Sequence, residues 1–292
     1  MKPALFEYYS PTSLAEALSL LDEHGFNAKV ISGGQSLIPM MNMRLARPEV
    51  LIDINSIKEL DYIRITDTEI QIGGLTRHYQ VEQSLEIKEI CPLLTEGMKL
   101  IGHSQIRSRG TIGGSVVHAD PTAELPVMLS TLGATITLAS SEGTRTVTTD
   151  EFFLTYLTTT IDMNEILVSI QIPIPNPNTG FAIDEFTLRK GDFGIVLAAA
   201  TITLDESGKV QSAVLGLGGV DGVPVLAEDV TNELINQYPD DNLIDQSCKK
   251  IEDLIDPEPD IHATAEYRKD LSITYAKRVL KLAAERALKN QA

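Results

Sequence analysis

Two short glycine-rich segments constrain this chain most. The first, Ser32, Gly33, Gly34, Gln35 and Ser36, closes the apolar run AKVI. The second, Thr111, Ile112, Gly113, Gly114 and Ser115, repeats the small-residue pattern further along. Glycine permits positive φ and carries no Cβ to keep a ligand away. Successive backbone N–H groups turned toward one point make an anion nest, and a neighbouring serine adds a hydroxyl. A plain turn after a strand has the same needs, so each segment alone reads as a turn or as half of an anion cradle. Neither is a G-x-G-x-x-G fingerprint with an acidic ribose reader downstream, and neither carries the Gly-Lys-Ser/Thr of a phosphate-binding P-loop. A pyrophosphate held by two separated loops is the remaining way for both to act together.

At 292 residues the chain is long enough for two or three lobes with a real core. Its 24 basic and 41 acidic residues give a formal charge of −17, a field that repels nucleic acid and anionic lipid surfaces. A phosphate ligand would therefore need local N–H groups to hold it against the global charge. No apolar run reaches the length of a membrane span, and MKPALFEYYSPTSL lacks the order of a secretory signal. Cys91 and Cys248 have no metal or iron–sulfur spacing, and Cys91, followed by Pro92 in an apolar stretch, reads as buried. A cytoplasmic location is the expectation.

The pattern along the chain predicts an α+β protein in three lobes. Residues 1–55 read as helix (SPTSLAEALSLLDEHG), strand, glycine loop and strand (VLIDINSI). Residues 56–175 contain two predicted hairpins, YIRITDTEIQIGG and ATITLASSEGTRTVTT. Between and after them stand the helical runs TRHYQVEQSL and CPLLTEGMKLIG and the strand EILVSIQIPIP. After the linker IPNPNTG, residues 176–292 read as antiparallel strands followed by an amphipathic helix over 263–290. Its predicted apolar face is Tyr267, Leu271, Tyr275, Val279, Leu282 and Ala283.

Several tempting residues have plain readings. LGLGGV, residues 215–220, lacks a following helix and reads as a strand and turn. The histidines at 24, 78, 103, 118 and 262 have no metal spacing; His103 and His118 flank the second glycine segment and read as supporting or surface groups. Arg107 and Arg109 could offset phosphate charge or make structural ion pairs. No nucleophile elbow appears.

SGGQSLIPMMNMRLARPEVLIDINSIKEL and IRSRGTIGGSVVHADPTAELPVMLSTLGA resemble the two FAD motifs of the medium subunits of molybdenum hydroxylases, including those of carbon monoxide and xanthine dehydrogenases. The resemblance runs along the whole chain. It implies a two-lobed vanillyl-alcohol-oxidase-type (PCMH-type) FAD-binding domain and a C-terminal antiparallel-sheet-and-helix domain. It further implies that Ser32, Gly33, Gly34, Gln35 and Ser36 hold the pyrophosphate from one lobe, and Thr111, Gly113, Gly114 and Ser115 from the other. Ser32 stands where the family usually has alanine. Glu124 falls near a position where relatives have an aspartate facing the nucleotide sugar. LRKGDFGIV, residues 188–196, resembles the turn that approaches the flavin ring, with Lys190 able to stabilise reduced flavin and Phe193 in place of a common tyrosine.

The implied function is electron transfer. Molybdopterin cofactor would sit on a large partner subunit and 2Fe–2S clusters on a small one, in a dimer of heterotrimers. FAD on this chain would pass electrons to an external acceptor: a quinone, NAD or oxygen. The lack of cysteine clusters agrees with clusters carried elsewhere. Two alternatives stay open from the residues: a self-sufficient flavin oxidase and a non-redox nucleotide-binding assembly module.

Overall fold

The computed structural model describes residues 1–291. The chain begins with β1 (Glu7–Tyr9), α1 (Leu14–His24), β2 (Ala28–Ile31), α2 (Leu37–Asn42) and β3 (Val50–Asp53). The strands form a parallel sheet in the order β1-β3-β2. Ser13 starts α1 by accepting from the Glu16 N–H, and Gly25 ends it at φ 52°. The helix lays Ala17, Leu18 and Leu21 on β3, whose Val50, Leu51 and Ile52 are buried. Fully burying each large apolar side chain is worth about 1.5–3 kcal/mol, enough to hold so small a sheet only because the next sheet packs beside it.

Two elements were not expected here. β1 is too short to show a period. α2 occupies what reads as loop after the first glycine segment, and it tolerates Pro39 because the first helical turn needs no N–H from it.

The middle of the chain supplies β4 (Ile63–Ile65), β5 (Glu69–Gly73) and six short helices. These are α3 (His78–Gln83), α4 (Leu85–Ile90), α5 (Pro92–Met98), α6 (Ser104–Arg107), α7 (Ile112–His118) and α8 (Glu124–Thr131). Next come β6 (Thr135–Ser140), β7 (Gly143–Thr148), the ribbon β8 (Phe153–Thr155) with β9 (Thr158–Thr159), and β10 (Ile166–Pro173). An antiparallel sheet runs β4-β5-β10-β6-β7, so both predicted hairpins form. Helices α5, α7 and α8 cover it, burying Met98, Ile112, Val116 and Leu125 in one core. All eight residues of α8 are buried, so it shows no amphipathic period to read.

A third, antiparallel sheet joins β11 (Thr179–Phe186), β12 (Val196–Leu204), β13 (Val210–Gly218) and β14 (Val225–Leu226) in sequence order. The C-terminal helix Ala265–Asn290 lies along it and buries Leu271, Tyr275, Val279, Leu280, Ala283, Ala284 and Ala287. Gly180 permits that approach: a Cβ there would strike the Ala283 carbonyl. Two residues depart from the expected face. Tyr267 is 43 % exposed, its ring edge-on to Phe186 at 6.0 Å, and Leu282, 38 % exposed, points away from the sheet. LGLGGV is the end of β13 and a turn at Gly219, φ 73°.

Among the described residues no helix is long and apolar enough to cross a membrane, and no cluster of His, Cys, Asp and Glu could hold a metal ion. Cys91 is fully buried, and burial pushes its thiol up to about 12, an unreactive state.

Candidate cofactor-binding site

The fold brings the two glycine segments into contact. The Oγ of Ser32 and the Oγ1 of Thr111 are 2.9 Å apart. A Cβ on Gly33 would fall 2.6 Å from the Arg109 carbonyl oxygen and 2.8 Å from the Gly110 Cα. One on Gly114 would fall 2.7 Å from the hydroxyls of both Ser32 and Thr111, and one on Gly113 would fall 2.7 Å from the Gly74 carbonyl oxygen. Three of the four glycines thus serve close approach. Only Gly34, at φ 69°, also needs the left-handed region.

The two segments differ in what they offer a ligand. The N–H groups of Gly33, Gly34, Gln35 and Ser36 donate to no protein acceptor among the described residues. Gly33, Gly34 and Gln35 line a cleft of about 320 Å³ with Ile31, Ser32, Ile38 and Pro39. The Gln35 amide folds back onto the Gly33 carbonyl at 2.9 Å, and Ser36 makes no cap bond to α2. A run of four unpaired donors at a strand end has the makings of an anion nest.

The second segment is not a loop, which corrects the sequence expectation. Thr111 is the N-cap of α7, and Gly113, Gly114 and Ser115 lie in its first turns. Their N–H groups are already engaged. Ile112 donates to the Thr76 carbonyl (2.9 Å), Gly113 to Gly74 (2.9 Å), Gly114 to Thr111 Oγ1 (3.1 Å) and Ser115 to the Thr111 carbonyl (3.1 Å). This side contributes hydroxyls and a flat, side-chain-free wall rather than a nest.

His78, which the sequence did not single out, supports that wall. Its N–H donates to the Gly110 carbonyl at 3.1 Å, and its Nε2 lies 3.0 Å from the Thr111 carbonyl. Burial pushes its pKa down to about 4, so the ring is neutral and Nε2–H is the donor.

The β11–β12 turn reaches both flanks of this wall. Gly191, at φ 88°, sits against the His103 ring, leaving no room for a Cβ. A Cβ on Gly194 would fall 3.7 Å from the Thr122 carbonyl oxygen and 3.6 Å from the Glu185 carboxylate. Lys190, just before Gly191, is exposed, and Phe193 is 60 % exposed. Glu124 opens α8 and is buried; burial first, then Asp120, raises its pKa to about 7. Arg107 is a structural ion-pair residue, 2.7 Å from Glu82, while the Arg109 side chain is exposed. His103 is exposed and His118 half-buried.

Residues 4–175 match the family of the FAD binding domain in molybdopterin dehydrogenase, and residues 181–283 match the CO dehydrogenase flavoprotein C-terminal domain. The chain belongs to the molybdopterin dehydrogenase FAD-subunit family.

Members of this family resemble it from end to end. The 6-hydroxypseudooxynicotine dehydrogenase complex subunit alpha of Paenarthrobacter nicotinovorans is 39% identical over 287 residues, 98% of this chain and 97% of that one. The carbon monoxide dehydrogenase medium chain of Afipia carboxidovorans is 33% identical, covering 98% and 99%. A solved structure of carbon monoxide dehydrogenase from Hydrogenophaga pseudoflava superposes with a TM-score of 0.95 at 34% identity, covering 98% and 99%. The chain is therefore an oxidoreductase subunit with an FAD-binding domain. The donors present fit that cofactor: the unpaired N–H groups of Gly33, Gly34 and Gln35 lie along a cleft, and the neighbouring Gly113 and Gly114 leave no room for a Cβ.

Proposed function

We propose that this chain is the electron outlet of a cytoplasmic molybdenum hydroxylase. In this reading residues 1–55 and 56–175 are two lobes that clasp FAD, and residues 176–292 carry the turn toward its ring. The observation that carries it is the row of four unpaired N–H groups, Gly33 to Ser36, beside the wall made by Thr111, Gly113, Gly114 and Ser115. Four unpaired donors can neutralise a pyrophosphate locally, which a chain of charge −17 requires. Ser32 and Thr111 then fix the seam, and Gln35 holds the first segment in shape by its bond to Gly33.

Glu124, buried just past the end of α7, is the residue this reading assigns to the nucleotide sugar. Lys190 and Phe193 stand free on the turn, so charge and an aromatic face are available to the ring. Bound FAD would supply two-electron and one-electron chemistry between partner and acceptor. The protein's part is placement and exclusion of water, and no general acid or base is called on.

The partners in this reading are a small 2Fe–2S subunit and a large molybdopterin-binding subunit, in a dimer of heterotrimers, with substrate bound on the large one. A 6-hydroxypseudooxynicotine dehydrogenase complex among the relatives makes an N-heterocyclic substrate a reasonable first trial. The test is purification of the native complex with cofactor analysis. FAD on this chain, with molybdenum and iron on two co-purifying chains, is the expected result. A flavin-free monomer that resists reconstitution would overturn it, and turnover by the isolated chain would point instead to a self-sufficient oxidase.

A further inference from the structure

The two glycine segments are joined by more than their mutual contact. Asn55, just past β3, donates its Nδ2 to the Ser32 carbonyl at 2.7 Å and to Asp53 Oδ1 at 2.6 Å. Its Oδ1 accepts from Nη2 of Arg77 at 2.6 Å. Nη1 of the same guanidinium donates to the Arg109 carbonyl. That carbonyl is the one on which Gly33 packs, with room for hydrogen and nothing larger. Tyr8 steadies the far end by donating to Asp53 Oδ2 at 2.6 Å. Arg77 itself forms an isolated backbone bridge with Thr111.

The planar fork thus reaches both segments at once: through Asn55 to the carbonyl of Ser32, and directly to the residue before Gly110 and Thr111. Burial lowers the Arg77 pKa from its ordinary value, but the guanidinium stays charged, and its charge-assisted bonds are the stronger for being half-buried. Both ends of the fork are occupied by protein acceptors, so Arg77 orders the cleft rather than binding what enters it.

We propose that Arg77 and Asn55 are positioning residues that set the spacing between the two glycine segments, and so set the affinity of the cleft for a dinucleotide pyrophosphate. The inference rests on the reading of these segments as the FAD cradle. It predicts that losing the fork lets the Gly33 side and the Thr111 side drift, so that the unpaired donors of the first segment no longer keep their spacing from the second.

The test uses the whole complex, stripped of flavin and titrated with FAD, with ADP, and with riboflavin, which lacks phosphate. Arg77→Met and Asn55→Ala should each weaken FAD and ADP by about tenfold, as expected for losing one charge-assisted bond, and leave riboflavin unchanged. Arg77→Lys keeps the charge but cannot span both acceptors, so it should not restore affinity. The double variant should be little worse than either single one, because both act through one link. The flavin-free melting temperature should stay near that of the parent.

FAD and ADP affinities within about twofold of the parent for both single variants would overturn the proposal, as would additive losses in the double variant. Riboflavin weakened in parallel would also overturn it, since that marks general loosening. Asn55→Ala truncates an exposed side chain and serves if Arg77→Met fails to fold. Gly114→Val, run alongside, separates the two ideas. If it loses FAD while the Arg77 and Asn55 variants do not, only the positioning role fails. If it also binds normally, the cradle reading fails and takes the positioning role with it.

Discussion

The hydroxyls of Ser32 and Thr111 are 2.9 Å apart although 79 residues separate them in the chain. One closes the strand β2, and the other caps the helix α7. Their bond marks the seam between the parallel sheet and the antiparallel one, where the row of free N–H groups begins. A side chain at Gly114 would sit between them, so that glycine is what allows the seam to close.

Gly114→Val should therefore empty the site. Its Cβ would meet both hydroxyls at 2.7 Å, before either γ-methyl is counted. The expected outcome is a complex purified without flavin absorbance, with far-ultraviolet circular dichroism unchanged. Normal flavin content would refute the cradle assignment.

Phe193→Ala should act on a different property. The ring is 60 % exposed, so its loss should change stability by no more than about 0.5 kcal/mol. FAD content should stay normal while the rate of flavin reduction or reoxidation shifts, read by stopped-flow absorbance. Unchanged rates would remove Phe193 from the site.

One buried and one half-buried carboxyl, Glu124 and Glu185, make stability depend on pH. Glu124 is raised from 4.5 to about 7 by burial and then Asp120; Glu185 is raised from 4.5 to about 8 by burial, then Glu124 and Asp184. A raised folded pKa means that the folded protein binds more protons than the unfolded chain between those values. Their contribution to stability is then full below pH 4.5 and is lost as pH rises toward 8. The melting temperature of the flavin-free protein should drop across this window. Glu124→Gln removes one ionisation and relieves Glu185, so its slope should be shallower. Equal slopes for parent and variant would exclude Glu124 as a contributor.

The sequence made much of this legible, for identifiable reasons. An apolar run ending in small residues marked the first glycine segment, a repeat of that small-residue pattern marked the second, and a helical period marked the C-terminal helix. The conformation of the second segment was hidden. Two glycines cost a helix about 1 kcal/mol each, yet the Thr111 cap and the contact with Gly74 outweigh that propensity. Asn55, Arg77 and His78 were hidden for another reason. Their partners include the backbone carbonyls of Ser32, Arg109 and Thr111, which leave no trace in a side-chain pattern.

Arg268 is hidden in the same way, and it supports the last prediction. It lies in the first turns of the C-terminal helix, 5 % exposed, where periodicity would place an apolar residue. Nη1 donates to the carbonyls of Ile195 and Gly219, and Nη2 lies 2.8 Å from the Asp260 carboxylate. Arg268→Met keeps the packed stem but leaves buried acceptors unpaired, at about 1–3 kcal/mol each. Stability should fall by about 3 kcal/mol, seen as a lower urea midpoint with an unchanged m-value. Ile195 directly follows Phe193 and Gly194, so the same variant should free the turn proposed to approach the flavin ring. Protease cleavage or hydrogen exchange between residues 187 and 195 should accelerate more than in the five-stranded sheet. A midpoint within experimental error of the parent would show that water replaces the guanidinium at no cost, and that the turn is held by His103 and Thr122 alone.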